Sequence, residues 1–236
     1  MFEREHHRRV AAVLAALDAD VLAAHACWFG GGTAMALRYG EYRESVDIDF
    51  LVSDLAGYRA MRQLLTGPTG LQALVRPGAT LTPVRELRAD QYGLRTLVRE
   101  GGMTIKFEIV LEARIAFDVP GPDDAIAGVA ALTPLDLAAG KLLALADRWR
   151  DDSVFSRDLI DLAMMRPAKP LLRAAIAKAA AAYGDSIETS LTRAVQDLRE
   201  RPHRLDACMG AMQMKTLSKA QLWARIKALE KLRPPA

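Results

Sequence analysis

The sequence predicts an α+β protein in which an N-terminal mixed sheet with flanking helices is followed by a C-terminal helical bundle. Over residues 1–115, short segments of alternating apolar and polar residues are interleaved with helical segments. After residue 128, every segment with a clear periodicity is helical. Between the two parts, residues 118–128 are rich in Pro, Gly and Asp, as in a connection between domains. We therefore predict one lobe over residues 1–120 and a second, helical lobe over residues 121–236.

The periodicity of the first lobe predicts its elements in order. Apolar residues three and four positions apart predict a helix over residues 5–24. The run Gly30-Gly31-Gly32 then separates a short strand from a short helix that we expect to begin at Thr33. The remaining elements are a strand over 46–52, a helix over 55–65, a strand near 84–87, and a β-hairpin formed by 94–99 and 103–111 around Gly101-Gly102.

The helices of the second lobe are marked by their start signals. Pro134 stands at the first helical position of one helix, and Pro170 opens another. Two further helices are predicted by the spacing of a capping box, which Asp185 with Glu188 and Ser218 with Gln221 both have.

Composition excludes several classes of protein. With 51% hydrophobic and 26% charged residues, the 236-residue chain is neither disordered nor fibrous. Charged residues interrupt every apolar run before the roughly 18 residues that a membrane span needs, and the charged N-terminus does not resemble a secretory signal. Cys27 and Cys208 lie far apart in apolar surroundings. We therefore expect a cytoplasmic protein with buried thiols and no membrane association.

Charge is distributed unevenly along the chain. Residues 1–125 carry 14 Lys and Arg against 17 Asp and Glu, whereas residues 126–236 carry 18 against 12. The acidic part can concentrate cations, and the basic part can attract a polyanion. A solvated helical surface explains the basic excess equally well.

The candidate site begins with Phe29-Gly-Gly-Gly-Thr33, followed after thirteen residues by Asp47-Ile-Asp49. Residues two apart in a strand point to the same face, about 7 Å apart, so Asp47 and Asp49 can bind one cation between them. Mg²⁺ prefers oxygen ligands and would offset the repulsion of the two carboxylates. The glycines allow a triphosphate to approach the backbone, and the N–H groups at a helix start favour anions.

Gly31-Gly32-Thr33 followed by Asp47-Ile-Asp49 resembles the signature of DNA-polymerase-β-type nucleotidyltransferases. In those enzymes a third carboxylate on a later strand completes the site. Glu108, inside the apolar strand around Phe107, stands in that position, and its alternative is an edge-strand charge facing water. The resemblance implies a nucleotidyltransferase-like sheet with Gly31, Gly32 and Thr33 at the nucleotide.

A longer match narrows the resemblance to the AbiEii/AbiGii toxin family of nucleotidyltransferases. Four segments carry it in family order: 32–40, 43–50, 132–144 and 157–162. The extra Gly30 and Met35 are mild departures from the family pattern.

The resemblance implies that Lys141 contacts the nucleotide phosphates and that Asp158 supports catalysis or the incoming nucleophile. A lysine inside an apolar helix needs an anionic partner when buried, and the alternative for Lys141 is a surface position beside Asp136 or Asp147. Asp161, three residues after Asp158, could instead pair with a base.

Two neighbours of the motif and the four histidines have less specific interpretations. Arg43 and Ser45 either steady the acidic strand or reach a phosphate, and packing explains them equally well. The four histidines have no metal-ligand spacing, and we interpret them as structural or surface residues.

The expected activity is transfer of a nucleoside monophosphate from an NTP, with two Mg²⁺ ions at Asp47, Asp49 and Glu108. The resemblance implies an RNA acceptor, with the 3′ end of tRNA as the best-known case. It also implies the toxin of a toxin–antitoxin pair in phage defence, with a cognate antitoxin. Two alternatives remain: the same mechanism with a small-molecule or protein acceptor, or a nucleotide-binding regulator without turnover. The three intact carboxylates argue against the regulator.

Overall fold

The structure is a computed structural model that describes residues 2–231. Its internal contacts divide the chain into two compact units. The sheet unit consists of the chain up to Glu41 together with Ser45–Thr133, and the helical unit consists of Tyr42–Glu44 together with the chain from Pro134 onward. The functional division between residues 120 and 121 stays a prediction.

A mixed six-stranded sheet forms the centre of the sheet unit. Its strands are β1 (Trp28–Gly30), β2 (Ile48–Val52), β3 (Thr82–Pro83), β4 (Arg88–Ala89), β5 (Gly93–Glu100) and β6 (Met103–Leu111). The order is β1-β2-β6-β5-β3, and β4 also pairs with β5. β2 and β6 are parallel, whereas β1 with β2 and β5 with β6 are antiparallel. The predicted hairpin is confirmed, but the strand expected at 84–87 is replaced by the two short strands on either side of it.

Alternation along β2 separates a core face from a polar face. Ile48 and Phe50 are fully buried, while Asp49 between them is partly exposed. The Phe50 ring packs between the rings of Phe29 and Phe107, with centroids 5.6 and 5.7 Å apart. Burial of these aromatic groups provides much of the packing energy that fixes the register of the strands.

The helices of the sheet unit are α1 (Glu5–Ala16), α2 (Ala19–Ala24), α3 (Gly31–Arg38) and α4 (Leu55–Leu65). The helix predicted over residues 5–24 is broken, because Leu17 is extended and pairs with Val75. Asp18 then caps α2 by accepting hydrogen bonds from two backbone N–H groups of its first turn. The start predicted for α3 was also late, since β1 runs directly into a helix whose first residue is Gly31.

The Pro/Gly/Asp-rich segment 118–128 is built into the sheet unit. It contains a single 3₁₀ turn, Pro122–Asp124, and the strand Ala125–Ile126 (β7), which pairs with Val129–Ala130 (β8). Arg38 donates to the Asp124 carboxylate at 2.9 Å, which ties the segment to α3.

The helical unit confirms the predicted C-terminal helices. They are α5 (Pro134–Arg148), α6 (Arg157–Met165), α7 (Lys169–Tyr183), α8 (Ser186–Glu200), α9 (Arg204–Ala211) and α10 (Lys219–Lys231). The capping box of Ser218 and Gln221 forms, with reciprocal bonds of 2.8 and 3.3 Å. Asp185, in contrast, forms no side-chain cap within the described chain. Among residues 2–231, no helix is both long and apolar enough to cross a membrane.

Candidate active site

The polar face of the sheet brings two of the predicted carboxylates into neighbouring positions. Asp49 on β2 lies opposite Gly30 of β1 and opposite Glu108 of β6. Residues directly opposite each other in a sheet share a face, so Asp49 and Glu108 lie on the same side. Asp47 comes immediately before β2 and is partly exposed.

The glycine motif approaches Asp49 closely. A Cβ atom on Gly31 would lie 2.3 Å from Oδ2 of Asp49, and the φ angle of Gly31 is +67°. Both facts require glycine at this position. The carboxylate therefore lies against the first residue of α3, where the helix dipole and unpaired N–H groups favour negative charge.

Glu108 is held between two cations. Its Oε1 lies 3.0 Å from Nε of Arg95 on β5, and its Oε2 lies 2.6 Å from Nζ of Lys106 on its own strand. The Glu108 side chain is only 12% exposed. The alternative of an edge-strand charge facing water does not hold, because β6 lies inside the sheet.

The fit of this face to a hard cation differs among the three carboxylates. Within residues 2–231, no three His, Cys, Asp or Glu side chains form a cluster that could hold a metal ion. Asp47 and Asp49 are partly exposed and offer the oxygen donors that Mg²⁺ prefers. Each Glu108 oxygen is already paired with a cation, so a metal ion at Glu108 would compete with Lys106 and Arg95.

Thr33 and Ser45 bond to each other within the sheet unit. The buried Thr33 hydroxyl donates to Oγ of Ser45 at 2.9 Å. The Ser45 side chain thus contacts α3. The Thr33 hydroxyl is engaged, and a phosphate at this end of α3 would meet backbone N–H groups.

In the helical unit, Lys141 of α5 is buried against two carboxylates of α6. Its Nζ lies 3.0 Å from Oδ1 of Asp158 and 2.7 Å from Oδ2 of Asp161. The alternative of a surface lysine beside Asp136 or Asp147 is wrong, since Lys141 is 7% exposed and Asp136 pairs with Lys178. The need of a buried lysine for an anionic partner is met by α6 itself.

The remaining partners of these carboxylates complete a charged cluster. Arg43 donates two hydrogen bonds to Asp161, at 2.7 and 3.0 Å, and the Tyr42 hydroxyl donates a third at 2.7 Å. Arg148 donates two to Asp158. The Arg43 side chain is therefore engaged within the helical unit, as the packing interpretation predicted.

Electrostatics keep this cluster ionised. Burial would raise the pKa of Asp161, but the charges of Arg43 and Lys141 hold it well below its usual range. For Asp158, burial is likewise outweighed by Lys141 and Arg148, which lower its pKa. Arg43, Lys141 and Arg148 thus face these two carboxylates, and the charge of Asp147 also acts on Arg148.

Comparison with known proteins identifies the family. A family model described as "Nucleotidyl transferase AbiEii toxin, Type IV TA system" matches residues 12–231. The chain belongs to the AbiEii family. It is therefore a nucleotidyltransferase of a toxin–antitoxin system. No curated protein matches the sequence significantly.

Two solved structures from Helicobacter pylori share the AbiEii fold seen here. One, provisionally assigned as a nucleotidyltransferase, is 18% identical with a TM-score of 0.54, and the alignment covers 98% of this chain and 96% of that one. The other, JHP933, is 16% identical with a TM-score of 0.53, and the alignment covers 98% and 94%. At these identities the likeness concerns the fold.

Sequence reasoning missed several partners of the predicted site residues. Arg95 had a usable signal: a two-residue turn at Gly101-Gly102 places Glu100 opposite Met103, which sets Arg95 opposite Glu108. Tyr42 and Arg148 had none, because their contacts depend on how the helices pack.

Proposed function

We propose that this AbiEii enzyme transfers a nucleoside monophosphate from an NTP to the 3′ end of an RNA, most simply a tRNA, in a reaction that depends on Mg²⁺. Asp47, Asp49 and Glu108 would hold the metal. The observation that carries the proposal is the Asp49 carboxylate lying against Gly31, at the start of α3, with Glu108 beside it in register.

The chemistry balances without a further reactant. The oxygen of the acceptor hydroxyl forms a bond to the α-phosphorus, the bond to pyrophosphate breaks, and the hydroxyl proton passes to solvent. Bound Mg²⁺ would neutralise phosphate charge and lower the pKa of the attacking hydroxyl. Asp47 and Asp49 would hold the metal ion that positions the triphosphate, and the backbone of Gly31, Gly32 and Thr33 would receive its β- and γ-phosphates.

Arg95 and Lys106 give Glu108 a defined role before substrate binds. A buried carboxylate without a partner is costly, and the two ion pairs remove that cost in the metal-free protein. Arg95 or Lys106 would become available to a phosphate on this face if Glu108 held a metal ion instead.

For the helical unit, we propose that Lys141 contacts the triphosphate and that Asp158 supports the acceptor. Support comes from the family motifs around both residues. Asp158 then serves a second purpose, because it holds Lys141.

The acceptor and the biological role are the finer part of the proposal. The basic composition of residues 126–236 favours a polyanionic acceptor. The family description places the protein in a type IV toxin–antitoxin system, which implies a cognate antitoxin. We propose that the toxin acts in phage defence by modifying tRNA.

A labelling assay tests the proposal. The protein is incubated with total RNA and each of the four α-labelled NTPs, with Mg²⁺ or with EDTA, and an Asp49→Asn variant serves as the control. We expect Mg²⁺-dependent label in RNA of tRNA size, and none with Asp49→Asn. Label in protein or a small molecule would overturn the RNA acceptor, and no label with any NTP, RNA or protein fraction would favour a regulator without turnover.

A further inference from the structure

Two adjacent histidines at the start of α1 bind the segment that leads to Asp47. His6 is 7% exposed and His7 is fully buried. Nε2 of His6 lies 3.1 Å from the carbonyl oxygen of Val46. Nε2 of His7 lies 3.2 Å from the backbone nitrogen of Ser45. The two rings thus hold consecutive residues immediately before Asp47.

The partners fix opposite tautomers for the two rings. A carbonyl oxygen only accepts, so Nε2 of His6 must carry a proton. The Ser45 N–H only donates, so Nε2 of His7 must accept, and the proton of a neutral His7 lies on Nδ1. That nitrogen is 2.8 Å from Oε1 of Glu41, to which it donates.

Glu41 is itself firmly placed. Its carboxylate accepts the N–H groups of Glu3 and Arg4 at 2.6 and 3.1 Å, in addition to the His7 ring. Its φ angle is +51°, a conformation that a residue with a side chain keeps only where its surroundings hold it. Glu41, His7 and Ser45 therefore form one connected chain of hydrogen bonds, which continues from Ser45 to the Thr33 hydroxyl.

We propose that His7 is a positioning residue for nucleotide transfer. Its neutral ring, oriented by Glu41, holds the Ser45 amide and through it fixes Thr33 and the backbone ahead of Asp47. His6 holds the next carbonyl. This role rests on the proposed function, because it gives Thr33 and Asp47 their significance.

Protonation would break the hydrogen bond of His7 to Ser45 but not the hydrogen bond of His6 to Val46. A second proton on His7 must occupy Nε2, the atom that accepts from Ser45, whereas protonated His6 can still donate to Val46. Burial lowers the pKa of His7 below 6.5, Glu41 raises it, and Arg4 and His6 lower it. Because the folded-state pKa is the lower one, the contact is intact at neutral pH, and its contribution to stability is lost as pH falls below about 6.5.

Two substitutions separate the two hydrogen bonds of His7. His7→Gln keeps an acceptor near the Nε2 position, and His7→Asn keeps a donor near the Nδ1 position. We expect His7→Asn to lower kcat/KM for labelled transfer by about tenfold to a hundredfold, and His7→Gln by about threefold or less. His25→Gln is the control, since the His25 ring bonds to the Val21 carbonyl of its own helix.

Ring tautomers and amide exchange test the contact without any substrate. In the metal-free protein, ¹⁵N NMR should show His7 protonated at Nδ1 and His6 at Nε2, and His7→Asn should speed hydrogen exchange at the Ser45 amide. A proton on Nε2 of His7, or full protection of the Ser45 amide in His7→Asn, overturns the proposal, as does equal kcat/KM in the Gln and Asn variants.

The failure of the proposed function and the failure of the role of His7 can be told apart. If the wild-type protein transfers no label, the proposed function fails. In that case the tautomers and the Ser45 exchange rate still decide whether His7 holds the segment.

Discussion

Each of the two units contains two neighbouring carboxylates, but the two sets differ in their burial and in their hydrogen-bond partners. On the sheet, Asp47 and Asp49 are partly exposed, and the Asp49 carboxylate lies against Gly31. In the helical unit, Asp158 and Asp161 are buried, and each accepts hydrogen bonds from two cations. The aspartates of the sheet unit are therefore partly exposed to solvent, whereas those of the helical unit are enclosed by cations of the protein.

The difference follows from desolvation. A buried carboxylate must have its charge compensated by the protein itself, so removing its partners costs folding energy. A partly exposed carboxylate keeps water as a partner and can exchange that water for a metal ion at little cost to the fold. We therefore expect substitutions on the sheet to abolish activity and those in the buried cluster to reduce stability.

The largest effect is expected for the double substitution Asp47→Asn, Asp49→Asn. Loss of the two proposed metal ligands should reduce the rate of nucleotide transfer by about 10⁴-fold, or about 5 kcal/mol. Tm in metal-free buffer should stay the same or rise, since two repelling charges are removed. Transfer at the wild-type rate would contradict the metal assignment, and a large loss of Tm would break the contrast between the units.

Asp161→Asn should show the reverse pattern. It leaves buried Arg43 with a neutral partner and Lys141 with Asp158 as its charged partner, which should lower the free energy of unfolding by about 3–5 kcal/mol in urea denaturation. The control is Asp152→Asn, which removes a 2.9 Å pair with Arg201 on the surface and should cost about 1 kcal/mol or less. Equal effects of the two substitutions would show that the cluster is not a source of stability.

The effect expected for Glu108→Gln is intermediate, because Glu108 is buried and also lies beside Asp49 on the polar face of the sheet. We expect the transfer rate to fall by about a hundredfold, or about 2.7 kcal/mol, with only a modest change in NTP affinity. Rapid-quench kinetics and equilibrium NTP binding measure the two quantities. Full activity would make Glu108 a partner of Arg95 and Lys106 without a role in catalysis.

The smallest effect is expected for Lys141→Ala, which tests whether a residue of the buried cluster also binds the nucleotide. If Lys141 reaches the triphosphate, Lys141→Ala should weaken NTP binding by about 1–3 kcal/mol. Lys178→Ala is a matched control, since Lys178 pairs with buried Asp136 in the same unit but lies outside the family motifs. NTP binding is measured by calorimetry at a temperature where both variants are folded. The same affinity in both would leave Lys141 with a structural role alone.

Local signals in the sequence were sufficient for much of this fold. The alternation around Asp49 predicted which side chains of β2 are buried, and Gly101-Gly102 predicted the hairpin that carries Glu108. Both depend on residues within a few positions of each other.

The misses came from contacts between distant segments. The break after Ala16 is set by pairing of Leu17 with Val75, and two partners of Asp161, Tyr42 and Arg43, come from more than a hundred residues earlier. The interpretation of His7 as a structural or surface residue rests on the absence of metal-ligand spacing, and nothing in the sequence connects His7 to Ser45. Its hydrogen bond exists only once α1 packs beside that segment.

The parallel pairing of β2 with β6 also determines when Asp49 and Glu108 can become neighbours. The β5–β6 hairpin needs only local contacts, whereas Asp49 meets Glu108 after the chain closes a loop of about 60 residues, a step that local structure does not accelerate. During synthesis, the ribosome must extend the chain past β6 before the two carboxylates can become neighbours. A chain that ends before β6 therefore lacks Glu108 and cannot form the pair of neighbouring carboxylates that Glu108 makes with Asp49.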